Sequence, residues 1–183
     1  MILYAEKWFV ISKTLTTVDH FHLGVLKEFS IDWSRGATFS PNNKILVSAG
    51  DDGSIKIYDF ETALEEHHFE SVFRENVGVG AVAVSPNNQM MAGGSQGGVV
   101  SIFNMNTKEL YHSFEDAHSG NESFIHNILI CSRLAQVKSM TFTPDNKFLI
   151  TGAADACIGI FDLKEKAKLD GIEYAHRGWV YLF

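Results

Sequence analysis

The sequence predicts an all-β chain assembled from repeated four-stranded antiparallel sheets, and three observations carry that expectation. Segments 39–59, 84–104 and 142–162 repeat one plan of strand end, turn, apolar strand, small-residue turn and β-branched strand. All three prolines, Pro41, Pro86 and Pro144, stand at the same place in these segments. Tyr58, Phe103 and Phe161 each follow their proline by 17 residues.

Within the first unit, Ala37-Thr38-Phe39 enters as a strand. Ser40-Pro41-Asn42-Asn43 turns it, because proline presets φ and Asn tolerates left-handed geometry. Lys44 to Ser48 is the second strand, Gly50-Asp51-Asp52-Gly53 a second tight turn, and Ser54 to Tyr58 a β-branched and aromatic third strand closed by Asp59. A fourth strand is expected at Glu66 to Phe69, Leu110 to Phe114 and Gly171 to Tyr174. Runs such as Ile45-Leu46-Val47 and Phe148-Leu149-Ile150 are apolar on both faces, so each sheet is expected between neighbours, which is the packing of propeller blades.

Composition narrows the partners. Fifteen Lys and Arg against 22 Asp and Glu give a net charge of -7, a poor balance for direct binding to nucleic acid or an anionic membrane. Met1 to Ala5 is apolar, but Glu6 and Lys7 interrupt it where a secretory leader would continue. The apolar run Phe124 to Ala135 is shorter than the roughly 20 residues that span a bilayer. Cys131 and Cys157 lack metal spacing and fit a reducing compartment.

The unit resembles the WD repeat, with Tyr58-Asp59, Phe103-Asn104 and Phe161-Asp162 where that family has Trp-Asp. The resemblance implies an incomplete β-propeller of three full four-stranded blades and two partial ones. It also implies a structural hydrogen-bond network joining a second-strand Ser or Thr, a turn Asp, the third-strand aromatic and an upstream His. The matching residues are Ser48 with Asp52 and Tyr58, and Thr151 with Asp155 and Phe161; His118 and His176 stand at the upstream His. In the second unit the positions are Gly93 and Gly97, so that network is not expected there. The Phe-Ser-Pro-Asn-Asn turns and Ile-Tyr-Asp or Ile-Phe-Asp strand ends are most similar to the WD-repeat subunits of Ski (superkiller) complexes. That likeness implies a non-catalytic scaffold in a Ski-type RNA-decay complex or a Paf-type transcription elongation complex, in the cytoplasm or the nucleus. A substrate-receptor or assembly subunit of another WD-repeat complex is the alternative, and a propeller enzyme is the rival of a different class.

The spacing is uneven. Pro41 and Pro86 are 45 residues apart, whereas Pro86 and Pro144 are 58 apart. The blades are expected at about 31–70, 77–115 and 137–175, with an insertion at 119–136. Its apolar stretch Phe124 to Cys131 reads as a short helix or strand that docks on a partner, a loop packed on its own propeller, or a gene-model artefact. Leu23 to Ser30 reads as the last strand of a preceding blade, 176–183 as the entry of a further one, and 1–22 is unplaced. An open array exposes the faces of its terminal blades, so the isolated chain is expected to self-associate.

Individual residues are mostly absorbed by the repeat. His20 and His22 lack a third ligand, and His67 and His68 point to opposite faces of a strand, so no metal is expected. Gly93 to Gly98 lacks the Lys-Ser/Thr ending and the following helix of a phosphate loop, and no cofactor is expected. His118 near Asp116 and Ser119 lacks a nucleophile elbow. Cys157 reads as a buried third-strand residue, and Lys164 to Lys168 as a solvated charge cluster in a turn. By the family resemblance, protein partners are read on one propeller face by Trp33, Arg177 and Trp179 at the entry of innermost strands. Asp51, Gln96 and Ala154, each before the turn Asp position, complete that set.

Overall fold

The computed structural model describes residues 34–70, 72–73, 77–118, 123–125, 128–130, 135–172, 175 and 180. Residues 1–33, with the unplaced segment and the expected partial blade, lie outside the described residues, as does most of 176–183.

The first blade contains β1 (Ser34–Phe39), β2 (Ile45–Gly50), β3 (Ile55–Asp59) and β4 (Glu65–Phe69). The second contains β5 (Val79–Val84), β6 (Met90–Ser95), β7 (Val100–Asn104) and β8 (Leu110–Phe114). After a small hairpin of β9 (Ser123–Ile125) and β10 (Ile128–Ile130), the third blade contains β11 (Val137–Phe142), β12 (Phe148–Ala153), β13 (Ile158–Asp162) and β14 (Ala167–Ile172). Each blade is an antiparallel meander in sequence order. Innermost strands β1, β5 and β11 lie side by side.

The repeat is written in the backbone. Every positive φ among the described residues falls at one of three places in a blade. The first is Asn43, Asn88 and Asn146, the second Gly53, Gly98 and Ala156, and the third Ala63, Lys108 and Lys166. At the first turn, the Ser40 hydroxyl donates to Asn42 Oδ1 (2.6 Å) and accepts from the Ile45 amide (2.9 Å). Ser85 and Thr143 make the same pair of bonds in their blades. The left-handed Asn also ties blades together, because Asn88 Oδ1 accepts from the Asn42 amide (3.3 Å) and Asn146 Oδ1 from the Asn87 amide (3.0 Å).

The third blade corrects one expected strand. Its fourth strand begins at Ala167 rather than Gly171. Asp162 Oδ1 accepts from the Lys164 and Glu165 amides at 2.9 Å each, which closes the turn early. The lysines there are not merely solvated: Lys166 lies 4.2 Å from the Tyr111 ring centre, and Lys168 donates to the Ala117 carbonyl at 2.7 Å. Both therefore clamp the third blade to the second. Cys157 is half-buried and precedes β13, where its amide donates to Asp155 Oδ1 (2.9 Å).

The core sits at the seams between blades. One cluster joins Val47, Ile55 and Ile57 of the first blade to Val79, Met91 and Phe103 of the second. The other joins Val100, Ile102 and Phe114 of the second to Val137, Leu149 and Phe161 of the third. Each seam has an aromatic pair: Phe69 with Phe103 at 4.8 Å and Phe114 with Phe161 at 4.6 Å between centroids. The third-strand aromatic thus packs on the fourth strand of the preceding blade. Burying such a side chain contributes about 1.5–3 kcal/mol.

The insertion leaves and rejoins the fold at one point. A Cβ on Gly98, whose φ is +87°, would lie 2.1 Å from the His118 carbonyl oxygen and 2.9 Å from the Ala135 Cβ. Between these ends β9 and β10 pair antiparallel as strands rather than a helix. Beyond the third blade, the Val180 amide donates to the Ala153 carbonyl (3.1 Å). Val180 lies against Gly152 as Val137 lies against Gly94.

Candidate interaction face and the buried histidine network

The innermost strands each carry one extra residue where they begin. Register shifts fall at Arg35 in β1, Gly80 in β5 and Lys138 in β11. A bulge of this kind re-aims a side chain at the rim of a sheet. Arg35 turns onto the β2–β3 turn, where its Nε donates to both carboxylate oxygens of Asp51 at 2.8 Å. Gln96, at the matching turn of the second blade, donates from Nε2 to Asp51 Oδ1. Gly78 permits this approach, because a Cβ there would lie 2.9 Å from both Asp51 Cα and Oδ1. Lys138 donates to Gln136 Oε1. Burial, and then the Arg35 charge across Gly80, hold its ammonium below the ordinary lysine value.

The expected contact residues therefore divide. Asp51 and Gln96 meet on this face. Ala154 is buried, and its amide donates to the Gln136 carbonyl (2.9 Å) as the Gln96 amide does to the Gly78 carbonyl (2.9 Å). Trp33, Arg177, Trp179 and His176 lie outside the described residues. Arg35 and Lys138 escaped the sequence reading because the second blade has glycine at their position.

Behind the face, the linker into the third blade buries a histidine. His118 Nδ1 lies 2.9 Å from Asp155 Oδ2, and its Nε2 2.7 Å from Thr151 Oγ1. An ionised Asp155 accepts only, which puts a proton on Nδ1; in the neutral imidazole Nε2 then accepts from the threonine hydroxyl. Burial pushes the Asp155 carboxyl up. The His118 hydrogen bond, the Cys157 amide and the nearby His118 and Lys168 charges outweigh it and hold the group below its ordinary value. Phe161 stands beside Thr151 around Gly159 but has no N–H to offer. The grouping does not suit nucleophilic catalysis, because Thr151 is 0% exposed and no substrate reaches its hydroxyl.

The other two blades solve the same position differently. In the first, no hydrogen bond joins Ser48 to Asp52. Asp52 is exposed and its Oδ1 accepts from the Ser54 amide (2.9 Å) and hydroxyl (2.7 Å), while Tyr58 is buried. In the second, the linker amide that bonds the turn glycine belongs to Val72, as His118 bonds Gly98. Val72, Gly93 and Gly97 thus replace His, Thr and Asp together. Ile55 of the first blade fills the space above Gly93, where a Cβ would meet its Cδ1 at 2.6 Å. Ser95 Oγ, accepting from the Gly97 and Val99 amides, holds the turn. Gly93 to Gly98 is accordingly strand and turn.

Elsewhere His67 packs edge-on to Phe69, and His68 lies 3.9 Å from Glu65. Among the described residues no three His, Cys, Asp or Glu gather as a metal site. None of their helices is long and apolar enough to cross a membrane.

The architecture has clear relatives. The sequence profile of the family described as "Nucleolar protein 10-like, N-terminal domain", a β-propeller, matches residues 34–171. Among solved structures, the chain is similar to "Crystal structure of RRP9 WD40 repeats" (TM-score 0.67) and "Structure of U3-55K" (TM-score 0.68). Each is 14% identical, and each match covers 83% of this chain and 42% of the other. The chain thus spans less than half the length of the structures it matches. No curated protein matches the sequence. None of these findings points to a Ski subunit. Three repeated blades seamed by aromatic pairs, a WD-repeat fold and a profile match across all three lead to one assignment: the chain belongs to the nucleolar protein 10-like N-terminal domain family of β-propellers.

Proposed function

We propose that the chain serves as a non-catalytic scaffold within a nucleolar protein assembly and presents the face of Arg35, Asp51 and Gln96 to partner segments. The observation that carries this reading is the cross-blade polar chain on that face. Asp51 takes hydrogen bonds from its own blade and the next, so the surface is preorganised across a seam. A rigid, charged surface of this kind selects partners and speeds encounter. The nucleolar setting rests on the family match and replaces the cytoplasmic location expected from the Ski likeness. Trp33, Arg177 and Trp179, which the family resemblance puts at the entry of innermost strands, are proposed as further contacts, because Trp and Arg dominate interface energetics.

Affinity purification of the full-length gene product, with and without Arg35→Ala and Asp51→Ala, tests this. Nucleolar proteins recovered with the wild type and lost from the variant support it. Equal recovery from both removes the face, and recovery of Ski or Paf subunits redirects the assembly to RNA decay or transcription elongation.

A further inference from the structure

The second blade lacks the polar network, and beside the space that Ile55 takes above Gly93 a recess remains among the described residues. A cleft of about 430 Å³ opens between the linker after β4 and the outer strands of the second blade. Gly97 stands on its wall where the third blade has Asp155, and Val72 where it has His118. Loss of these side chains thus produces a cavity of a size that holds ligands, which runs to roughly 300–1,000 Å³.

The lining has a definite polarity. Val72, Phe73, Val77 and Val99 form apolar walls. On the floor, Ser101 and Ser113 hydroxyls are 3.1 Å apart, and Ser113 donates to Glu115 Oε1 at 3.1 Å. The donated proton of Ser113 fixes the direction, so Ser101 donates to Ser113 and both oxygens keep lone pairs. Ser95 Oγ, by contrast, already accepts from two amides and offers no free lone pair. Glu115 and Asp116, both exposed, stand at the rim. The two carboxylates, with the Ser101 and Ser113 hydroxyls whose protons are already directed away, ask for a ligand that donates. Among side chains, Lys and Arg have that character, and their aliphatic stems match the apolar walls.

We propose that this cleft receives a Lys or Arg side chain from a partner's peptide segment, its stem between Val72, Phe73 and Val99 and its cation on Glu115 and Asp116. The proposal rests on the scaffold reading and adds a second contact to it, away from Asp51. The chain's net charge of -7 favours approach of such a segment.

NMR titration of the full chain with Nα-acetyl-argininamide, Nα-acetyl-lysinamide and Nα-acetyl-norleucinamide tests it. The cationic probes are expected to shift the Gly97, Val99 and Ser101 amides saturably, and the norleucine probe is not. Glu115→Gln with Asp116→Asn is expected to weaken the cationic probes about tenfold or more. Val72→His with Gly97→Asp is expected to abolish their binding by refilling the cleft; the added Cβ at position 97 meets nothing closer than 3.6 Å. Should that refilled variant not fold, the substitutions at the exposed Glu115 and Asp116 still decide the matter. Equal binding of norleucine, or cationic binding unchanged in the Glu115 and Asp116 variant, overturns the proposal. Partner capture that depends on Asp51 while no probe binds overturns the cleft and leaves the face reading standing; probe binding without such capture does the reverse.

Discussion

Replacing His118 with leucine removes two hydrogen bonds from a site that water does not reach. The His118 and Asp155 side chains are 1% and 3% exposed, and Thr151 is wholly buried. Leucine fills much of the volume, so the cost is polar rather than a cavity. The bond to the Asp155 carboxylate is of the charged class, about 1.5–3 kcal/mol, and the threonine hydroxyl left unpaired adds about 1–3 kcal/mol. Asp155 keeps the Cys157 amide, which limits the loss. The expected destabilisation is about 3–5 kcal/mol, the range for breaking a buried pair from one side. Urea denaturation at pH 7 measures it. Adding Asp155→Ala to His118→Leu removes the stranded carboxylate, so the double variant is expected to be about 2 kcal/mol more stable than the sum of the two single losses. The same site fixes an acid dependence. Asp155 has a folded value below its ordinary 3.8, so its contribution is fully present above that pH. It is lost as pH falls through the folded value, and Asp155→Asn flattens that limb. A His118→Leu loss under about 1 kcal/mol, or strict additivity, refutes the account of the network.

Ala156 holds φ +68° where the other two blades have glycine, so Ala156→Gly is expected to raise stability by about 0.5–1 kcal/mol through relief of left-handed strain; a lowered urea midpoint counts against that. Phe161→Ala is expected to cost about 3–5 kcal/mol, whereas Leu110→Ala, 57% exposed, stays within about 0.5 kcal/mol. Comparable losses at both positions would contradict the seam as the seat of the core. Replacing 119–134 by a short Gly-Ser linker is expected to change the unfolding free energy by less than about 1 kcal/mol, because both ends meet beside Gly98. Loss of cooperative unfolding would show that the hairpin supports the blades.

The turns were the most legible part of this chain. Pro41-Asn42-Asn43 and its two counterparts specify their own φ values and strand reversals, and the 17-residue step to the aromatic sets the length of each hairpin pair. The fourth strand of the third blade was less legible, since Lys164 to Lys168 reads as loop by composition. Asp162 folds that stretch into a tight turn, and Tyr111 and Ala117 hold its lysines. Arg35 and Lys138 are exposed to view only by register, because a bulge is a relation between two strands and has no residue type of its own. Val72 was equally hidden. Its role comes from one amide bond to Gly53, and nothing in Ser71-Val72-Phe73 announces a place usually held by histidine.

The two seams are built from different materials. One uses Ile55 against Gly93 and leaves a hollow, and the other uses a hydrogen-bonded clamp of His118 on Asp155 and Thr151. Yet both keep the same aromatic pair and the same Asn bridge. Stability in a nearest-neighbour array is a sum of local joints, so one joint is free to trade strength for a recess while its neighbour holds. Binding pockets in such an array have a natural place to arise: at whichever joint lacks the polar clamp.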